Sequence, residues 1–358
     1  MIYAKIKYIL LLLYYKFMCY IFLQKNIVLY TSSNKDSFSN ISSIASEFDS
    51  KNIKYTILTC DDKKNNKFLF LRTLATARVL VIDADSPAAK IELHRNTYLI
   101  QCWHAGGAYK KIGFDAKRKG ISPELEERRL TRIHRCISYF ICTSHETAKV
   151  YSRAFRLDRK NMLIFGMPRL DSIIQKMPFA APEEVTILYA PTFRTKNNIR
   201  KIPSPPDILE FRSQLESVFN SSIRFAFRGH PTAPGLMELQ GWEDWSALPQ
   251  SEALQRTSIL ITDYSSIFFD YLPFRRPIIF YVPDIERYQN EEQGLYFSPY
   301  DLFPKTTCAT EKELINILMN CKSLDIDYES VWRKYMKACD GHATKRLCSF
   351  IEHLMERS

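Results

Sequence analysis

Paired cysteines are missing from this sequence. Its nine cysteines are scattered singly among 358 residues, and no Cys-x-x-Cys pair occurs. Such a set argues against a disulfide framework or a zinc site and is typical of reduced thiols in a cytosolic protein. Cys102 stands two residues before His104, but a cysteine in a buried strand is more often a small apolar core residue than a nucleophile.

Signals for nucleic-acid binding are missing as well. The chain has no zinc-finger spacing, no RNA-binding aromatic signature, no glycine-arginine tract and no internal repeat. Its 50 Lys and Arg nevertheless exceed 39 Asp and Glu, which gives a formal net charge of +11. We therefore expect an anionic membrane surface or another polyanion as partner, and no nucleic acid.

No apolar run is long enough to cross a membrane easily. Residues 8–23 are apolar or aromatic except for Lys16, whereas a span needs about 20 residues and a central lysine is costly there. No small-residue cleavage site follows, which argues against a secretory signal peptide. We expect residues 1–25 to form a hydrophobic membrane-anchor helix, interfacial or re-entrant, on the inner leaflet. A spanning helix and a helix packed on the protein are the alternatives.

Strands alternate with helices along the rest of the chain, a pattern that predicts α/β domains with parallel, doubly wound sheets. Two prolines in residues 176–182 interrupt both kinds of regular pattern and indicate a linker. We expect an N-terminal domain at residues 26–175, a C-terminal domain at 183–340 and a last helix within 341–358.

Three strand ends carry side chains suited to phosphate binding or proton transfer. The apolar strand 258–261 leads to Thr-Asp-Tyr-Ser-Ser at 262–266, where two serines open a predicted helix. Amides and hydroxyls at such a helix start bind anions, although an ordinary serine cap fits equally well. The strand 223–227 ends in Arg-Gly-His-Pro at 228–231, and the strand 98–102 leads into Trp-His at 103–104. Ligands bind at the carboxyl ends of parallel strands, so the three ends predict one cleft.

These motifs, with three others, resemble a known family. They are Trp-His at 103–104, Lys-Ile-Gly-Phe-Asp at 111–115, Gly-Met-Pro-Arg-Leu-Asp at 166–171, Leu-Tyr-Ala-Pro-Thr-Phe-Arg at 188–194, Arg-Gly-His-Pro at 228–231 and Thr-Asp-Tyr-Ser-Ser at 262–266. In order and spacing, over roughly residues 95 to 300, they resemble the CDP-glycerol glycerophosphotransferases of teichoic acid and capsule synthesis.

The resemblance implies a fold of two Rossmann-like domains, similar to glycosyltransferase-B enzymes, with the last helix crossing back onto the first domain. It implies transfer of a polyol phosphate, foremost glycerol phosphate, from CDP-glycerol or CDP-ribitol to a hydroxyl of a lipid-linked glycan. CMP is released at the cytoplasmic face of the membrane, with no metal or other cofactor. Where the family usually reads Trp-His-Gly-Thr-Pro, residues 103–107 read Trp-His-Ala-Gly-Gly, and Gln293 stands where arginine is usual. The acceptor and the polyol therefore stay open.

The resemblance also assigns expected roles to single residues. The catalytic residues are His104 as general base, His230 at the leaving CMP phosphate and Asp263 as an orienting group. The residues expected to bind the donor diphosphate are Arg228, Ser265, Ser266, Thr192 and Arg194. Those expected to bind the acceptor are Lys110 and Lys111, and those expected to bind ribose are Glu286 and Glu291.

Two other functions fit the same sequence. One is a glycosyltransferase that uses a nucleotide sugar, since its fold and diphosphate site would look alike. The other is a non-catalytic protein that binds membranes or polyanions through its basic surface.

Overall fold

The computed structural model describes residues 2–31, 38–83, 91–116, 121–196, 199–229, 239 and 241–357. The strands are β1 (Asn26–Thr31), β2 (Tyr55–Thr59), β3 (Ala77–Ile82), β4 (Tyr98–Gln101), β5 (Tyr139–Ile141), β6 (Met162–Leu163), β7 (Val185–Ala190), β8 (Arg194–Lys196), β9 (Ile199–Lys201), β10 (Ile223–Phe227), β11 (Glu243–Asp244), β12 (Ile259–Thr262), β13 (Ile278–Tyr281) and β14 (Thr307–Cys308). The helices are α1 (Ile2–Ile21), α2 (Asn40–Ser50), α3 (Cys60–Asn65), α4 (Lys67–Ala75), α5 (Pro123–His134), α6 (His145–Phe155), α7 (Asp171–Ile174), α8 (Arg212–Phe219), α9 (Gln250–Arg256), α10 (Ile267–Tyr271), α11 (Ile285–Glu291), α12 (Pro299–Leu302), α13 (Glu311–Asn320), α14 (Tyr328–Tyr335) and α15 (Ala343–Glu356).

The chain forms two compact units, each with its own parallel sheet. Unit 1 comprises Met1–His104, Gly120–Gln175 and Lys337–Ser358, and unit 2 comprises Ala105–Lys119 and Lys176–Met336. The sheet of unit 1 has the order β2-β1-β3-β4-β5-β6, with every pairing parallel. The α/β class with parallel sheets expected from the alternating pattern is confirmed.

The last helix of the chain packs in unit 1. Apolar side chains of α15, among them Leu347 and Ile351, join the buried cluster formed by β1, β3, β4 and α2. Asp171 accepts hydrogen bonds from the backbone amides of Ala343 (3.1 Å) and Thr344 (2.7 Å) at the start of α15. A carboxylate satisfies the unpaired amides of a helix start, so Asp171 fixes this helix on the unit.

The sheet of unit 2 has the order β11-β10-β7-β12-β13-β14, again with every pairing parallel. The first strand in sequence, β7, lies in the interior between β10 and β12, and the order reverses there. In doubly wound sheets, this reversal leaves a crevice at the carboxyl ends of the two central strands.

Residues 105–119 belong to unit 2, although sequence reasoning placed them in a domain ending at 175. The amide of Lys111 donates to the carbonyl of Gly294 (3.0 Å), and the amide of Tyr296 donates to the carbonyl of Tyr109 (2.9 Å). Gly107 has φ +60°, and a Cβ added there would overlap the Phe269 ring. The glycine pair after the histidine therefore permits close packing in a left-handed conformation, which is the physical reason for glycine at 107.

The N-terminal helix is buried on one side only. Tyr15 is 1% exposed, and its hydroxyl accepts a hydrogen bond from the amide of His94 (3.1 Å). Tyr14 packs edge-on against Phe68 of α4, with ring centroids 4.9 Å apart. The large apolar side chains on the exposed side are Ile6, Ile9, Leu10, Leu13, Phe17, Tyr20 and Ile21. No helix within the described ranges has both the length and the apolar character needed to cross a membrane.

Candidate functional site

The ends of β7 and β12, at the strand-order reversal of unit 2, are joined by one carboxylate. Asp263 follows β12, is 1% exposed, and accepts hydrogen bonds from the amides of Thr192 (2.8 Å) and Tyr264. Its other oxygen lies 2.9 Å from the Arg194 guanidinium. The Oδ1 atom is therefore hydrogen-bonded inside the unit, whereas the buried Oδ2 atom has the ion pair with Arg194 but no hydrogen bond among the described residues. These contacts give Asp263 an ordering role and do not favour a role in proton transfer.

Arg194 is held between two acidic residues. Besides its contact with Asp263, its guanidinium donates to both oxygens of Asp284, at 2.7 and 2.9 Å. It also lies over the rings of Tyr264 and Tyr288, which stack with centroids 3.8 Å apart. Burial acts to raise the pKa of Asp284, but the Arg194 contacts outweigh it and hold this pKa below its usual value. The positive charge of Arg194, which we expected at the donor diphosphate, is neutralised within the protein.

Lys110 lies beside the same strand ends. Its Nζ donates to the hydroxyl of Thr192 (3.3 Å), and its side chain is half-buried. Burial lowers the pKa of Lys110 to about 8; Asp263 raises this pKa and Arg194 lowers it further. The expected acceptor-binding residue thus lies among the residues expected to bind the donor. Its neighbour Lys111 is fixed through its backbone, because Gln293 donates to its carbonyl (2.6 Å).

The two serines expected at a helix start lie before a very short helix. Ser265 and Ser266 are half-buried, and the Ser265 hydroxyl accepts a hydrogen bond from the amide of Ile267 (3.3 Å). The helix α10 has five residues and is followed by a 3-10 turn that contains Pro273. A proline cannot donate the next helical hydrogen bond, which explains the short length. Hydroxyl and amide groups remain available as donors, but a helix dipole contributes little here.

Arg228 follows β10 and stabilises a neighbouring loop. Its Nη1 donates to the carbonyls of Trp245 and Leu248, each at 2.7 Å. Part of the guanidinium that was expected at the donor diphosphate is thus engaged with backbone carbonyls. His230, the other residue expected from this motif, lies outside the described residues.

Both acidic residues expected at the ribose lie exposed on α11. Glu291 forms an ion pair with Arg287 one turn earlier (3.5 Å), and Glu286 stands in the first turn of the helix. Two neighbouring acidic residues, Asp284 and Glu292, make contacts inside the unit instead. Asp284 binds Arg194, and Glu292 accepts the amide of Thr195 (2.9 Å). Asp284 follows β13 at the carboxyl edge, so the strand-end rule that identified Asp263 would also have identified it.

His104 follows β4 at the carboxyl edge of the unit 1 sheet, and its side chain is exposed. The residue before it, Trp103, has φ +54°, a left-handed conformation that costs a non-glycine residue roughly 1–2 kcal/mol. The Trp103 and His104 rings lie side by side, with centroids 4.6 Å apart. A bulky residue in this conformation indicates a turn that the surrounding structure holds in place.

The described part of the chain contains no group of three histidine, cysteine or acidic side chains arranged to hold a metal ion. The chemistry that unit 2 offers at its strand ends is instead that of hydroxyls, amides and one incompletely neutralised ammonium. Such groups bind phosphate oxygens.

Comparison with known proteins agrees with this chemistry. A curated relative, the teichoic acid ribitol-phosphate primase of Bacillus spizizenii, is 28% identical over 80% of this chain and 78% of the relative. The teichoic acid glycerol-phosphate primase of Bacillus subtilis is 26% identical over 73% of this chain and 69% of the relative. Among solved structures, the wall teichoic acid polymerase TagF has a similar fold, with a TM-score of 0.78 at 20% identity over 96% of this chain and 93% of that one.

One family model matches nearly the whole chain. It is described as CDP-Glycerol:Poly(glycerophosphate) glycerophosphotransferase and matches residues 13–353. This range includes both parallel sheets and the strand-end residues of each unit. The chain therefore belongs to the CDP-glycerol:poly(glycerophosphate) glycerophosphotransferase family.

Proposed function

We propose that this protein transfers a polyol phosphate from a CDP-activated donor to a hydroxyl of a lipid-linked glycan or polyol-phosphate acceptor, with release of CMP. The observation that carries the proposal is the position of Thr192, Lys110 and Ser265 at the strand-order reversal of unit 2. This is where a doubly wound sheet binds a nucleotide diphosphate. A related structure, of a TagF variant soaked with CDPG, supports the same donor class.

The reaction demands positioning and charge neutralisation more than covalent work by the protein. The acceptor oxygen attacks the β-phosphorus, a new P–O bond forms, and the bond to the bridging oxygen breaks so that CMP leaves with its electron pair. We assign the acceptor's proton to His104, because a neutral imidazole is available as a base near pH 7. Lys110, Thr192 and the serines neutralise the diphosphate. The expected role of His230 at the leaving phosphate stays a prediction.

The identity of the polyol is a separate part of the proposal, and turnover of the purified protein must decide it. One relative described above is a ribitol-phosphate primase and another is a glycerol-phosphate primase. We propose glycerol phosphate first, since the family description names glycerophosphate.

We further propose that the protein binds the cytoplasmic membrane surface through the exposed side of α1. That side presents a continuous stripe of apolar residues, including Leu10, Leu13 and Phe17, which are between 57% and 60% exposed. The net charge of +11 favours an anionic lipid surface beneath it. Such a location would bring a lipid-linked acceptor to the enzyme.

A donor panel on purified protein tests the proposed reaction. We expect CMP release with CDP-glycerol or CDP-ribitol, an acceptor mass increased by one polyol phosphate, and no turnover of UDP- or GDP-sugars. Turnover of a nucleotide sugar without CMP release would instead identify a glycosyltransferase. No turnover with any donor would favour a protein that only binds membranes or polyanions.

Substitutions at two histidines, one as test and one as control, examine the proposed role of His104 as general base. His104→Ala should lower kcat at least about 100-fold while the protein stays folded, because the proton acceptor is lost. His145→Ala is the matched control, since His145 is also exposed in unit 1 but lies at the start of α6. Near-normal turnover of the His104 variant would remove this residue from the mechanism.

A further inference from the structure

Side chains from three elements of unit 1 bind the backbone of Trp103 and His104, which we call the histidine turn. Gln101 accepts the Trp103 amide through its side-chain oxygen (2.9 Å). The Asn40 side chain donates to the Trp103 carbonyl (2.7 Å), and the Arg169 guanidinium donates to the His104 carbonyl (2.7 Å). Three backbone polar groups of a two-residue turn are thus each bound by a different side chain.

Asn40 and Arg169 are also bound to each other. The side-chain oxygen of Asn40 accepts the backbone amide of Arg169 (3.2 Å). Asn40 is 1% exposed and Arg169 is 7% exposed, and they lie at the start of α2 and in the 3-10 turn Pro168–Leu170. Because both side chains are buried and each is held by its own element, they form a rigid support beneath the turn.

A turn that served only to end a strand would not need this support. Glycine adopts the left-handed conformation without strain, yet position 103 carries tryptophan. The Trp103 ring packs against Phe155, with centroids 5.4 Å apart, and lies beside the His104 ring. A strained conformation that several groups enforce is typical of a site where the direction of one side chain matters. Here that side chain is the exposed imidazole of His104.

We propose that Asn40 and Arg169 are positioning residues for His104: through the two carbonyls of the histidine turn they set the direction of its imidazole. The proposal rests on the proposed function, in which His104 accepts the acceptor's proton. It gives the Gly-Met-Pro-Arg-Leu-Asp motif at 166–171 a double role. Arg169 holds the histidine turn, and Asp171 two residues later holds the start of α15.

Three substitutions test the support with little change in side-chain volume. Asn40→Asp keeps the oxygen that accepts the Arg169 amide but removes the donor to the Trp103 carbonyl. Arg169→Met removes the donor to the His104 carbonyl, and Arg169→Lys retains one cationic donor. Asp171→Asn is the matched control, because Asp171 is buried in the same motif and contacts α15 instead of the turn.

Two measurements on the full chain separate positioning from general stability. The first is amide hydrogen exchange, read from peptides that cover residues 101–105. The second is steady-state kinetics with the CDP-polyol donor. We expect faster exchange at the turn in Asn40→Asp and Arg169→Met, a kcat lowered by about 10- to 100-fold, and a donor KM within about twofold of the parent. Arg169→Lys should recover part of the lost kcat.

The control should behave differently. Asp171→Asn should unfold at lower urea concentration while its turn exchanges like the parent and its kcat is unchanged. Unchanged exchange at the turn in both Asn40→Asp and Arg169→Met would overturn the proposal, and so would faster exchange with a parental kcat. Normal turnover of His104→Ala would contradict the assignment of His104 as general base. The same kinetic assay therefore distinguishes a failure of the proposed function from a failure of the positioning proposal.

Discussion

At the scale of single residues, the charge balance at the strand ends of unit 2 decides which side chain is available to a ligand. Arg194 is neutralised by Asp263 and Asp284, whereas the Lys110 ammonium donates to the neutral hydroxyl of Thr192. An ammonium with three donors and one neutral partner has capacity for phosphate oxygens. We therefore propose that Lys110, expected to bind the acceptor, binds the donor diphosphate instead.

The ionisation of Lys110 should appear in the pH dependence of donor binding. Its pKa of about 8 lies below the usual value, mainly because of burial, and a bound diphosphate would favour the charged form. Donor KM in the parent should therefore rise as pH increases above about 8. Lys110→Met should have a higher donor KM that changes little between about pH 7.5 and 9.5. Kinetics across this pH range measure both expectations.

The lowered pKa of Lys110 also predicts the stability of the Lys110→Met variant. A lysine whose pKa is lowered on folding destabilises the folded state at low pH, and this cost fades as pH rises from about 8 towards 10.5. Lys110→Met should therefore be at least as stable as the parent near pH 7 in urea denaturation, which shows that a higher KM is not caused by unfolding. Lys111→Met is the control for the kinetics. A pH-independent KM in the parent would contradict the assignment.

Sequence reasoning located the strand-end residues but not their partners. Thr192 and Asp263 were recognised because an apolar strand and the polar residue after it form a local pattern. Which of these residues is neutralised depends on contacts such as Arg194 with Asp284, which are 90 positions apart. Long-range pairing of this kind is not encoded in spacing, so the ion pairs of Arg194 with Asp263 and Asp284 were not predictable.

At the scale of elements, the segment 105–119 shows how packing overrides a boundary drawn from sequence. Its bridge between Lys110 and Leu295 is antiparallel and joins two irregular segments of unit 2. Neither partner has the strand pattern that would predict the pairing. The regular elements were predictable in contrast, because their periodicity is local: β1, β7, β10 and β12 all occur where the apolar runs indicate.

Gly107 should be the most sensitive position of this segment. Gly107→Ala adds a Cβ that overlaps the Phe269 ring, at a residue with φ +60°. We expect a loss of at least about 3 kcal/mol in the free energy of unfolding, from backbone strain and overpacking together. Urea denaturation measures this loss.

A second left-handed glycine separates the two causes. Gly241 has φ +78°, but a Cβ there would meet a methyl group of Leu209 at 2.9 Å, and that flexible side chain can move. Gly241→Ala should therefore cost only about 1 kcal/mol, the backbone part of the effect. Phe269→Leu should also recover part of the Gly107→Ala loss. Equal losses at the two glycines would show that the Phe269 ring does not restrict the segment.

At the scale of the whole molecule, the chain passes from unit 1 to unit 2 twice, after His104 and after Gln175, and its last segment, with α15, belongs to unit 1. The spatial order of the strands was not predictable, because local patterns do not specify which strands are neighbours. The order of the motifs along the sequence was informative for another reason: most of them, with the exception of the one at 111–115, lie at the end of a strand of a parallel sheet, and all such ends lie on one edge of their own sheet.

The exposed side of α1 predicts how the molecule associates with lipid. Phe17 and Leu13 are 57% and 58% exposed, and Phe68 of the adjoining α4 is 58% exposed, so the apolar surface extends over two helices. Burying this surface in the lipid interface should be favourable, and the positive net charge should add attraction to anionic headgroups. We expect the protein to sediment with vesicles that contain phosphatidylglycerol, with less binding to pure phosphatidylcholine and less in high salt.

The double variant Leu13→Glu with Phe17→Glu should lose most of this binding, at least about tenfold, because two carboxylates would enter the apolar interface. Leu125→Glu is the matched control, since Leu125 is 61% exposed but lies on α5. Turnover with a water-soluble acceptor should be unchanged in both variants, while turnover with a vesicle-bound acceptor should fall only in the α1 variant. Equal vesicle binding by the two variants would show that α1 is not the surface that contacts the membrane.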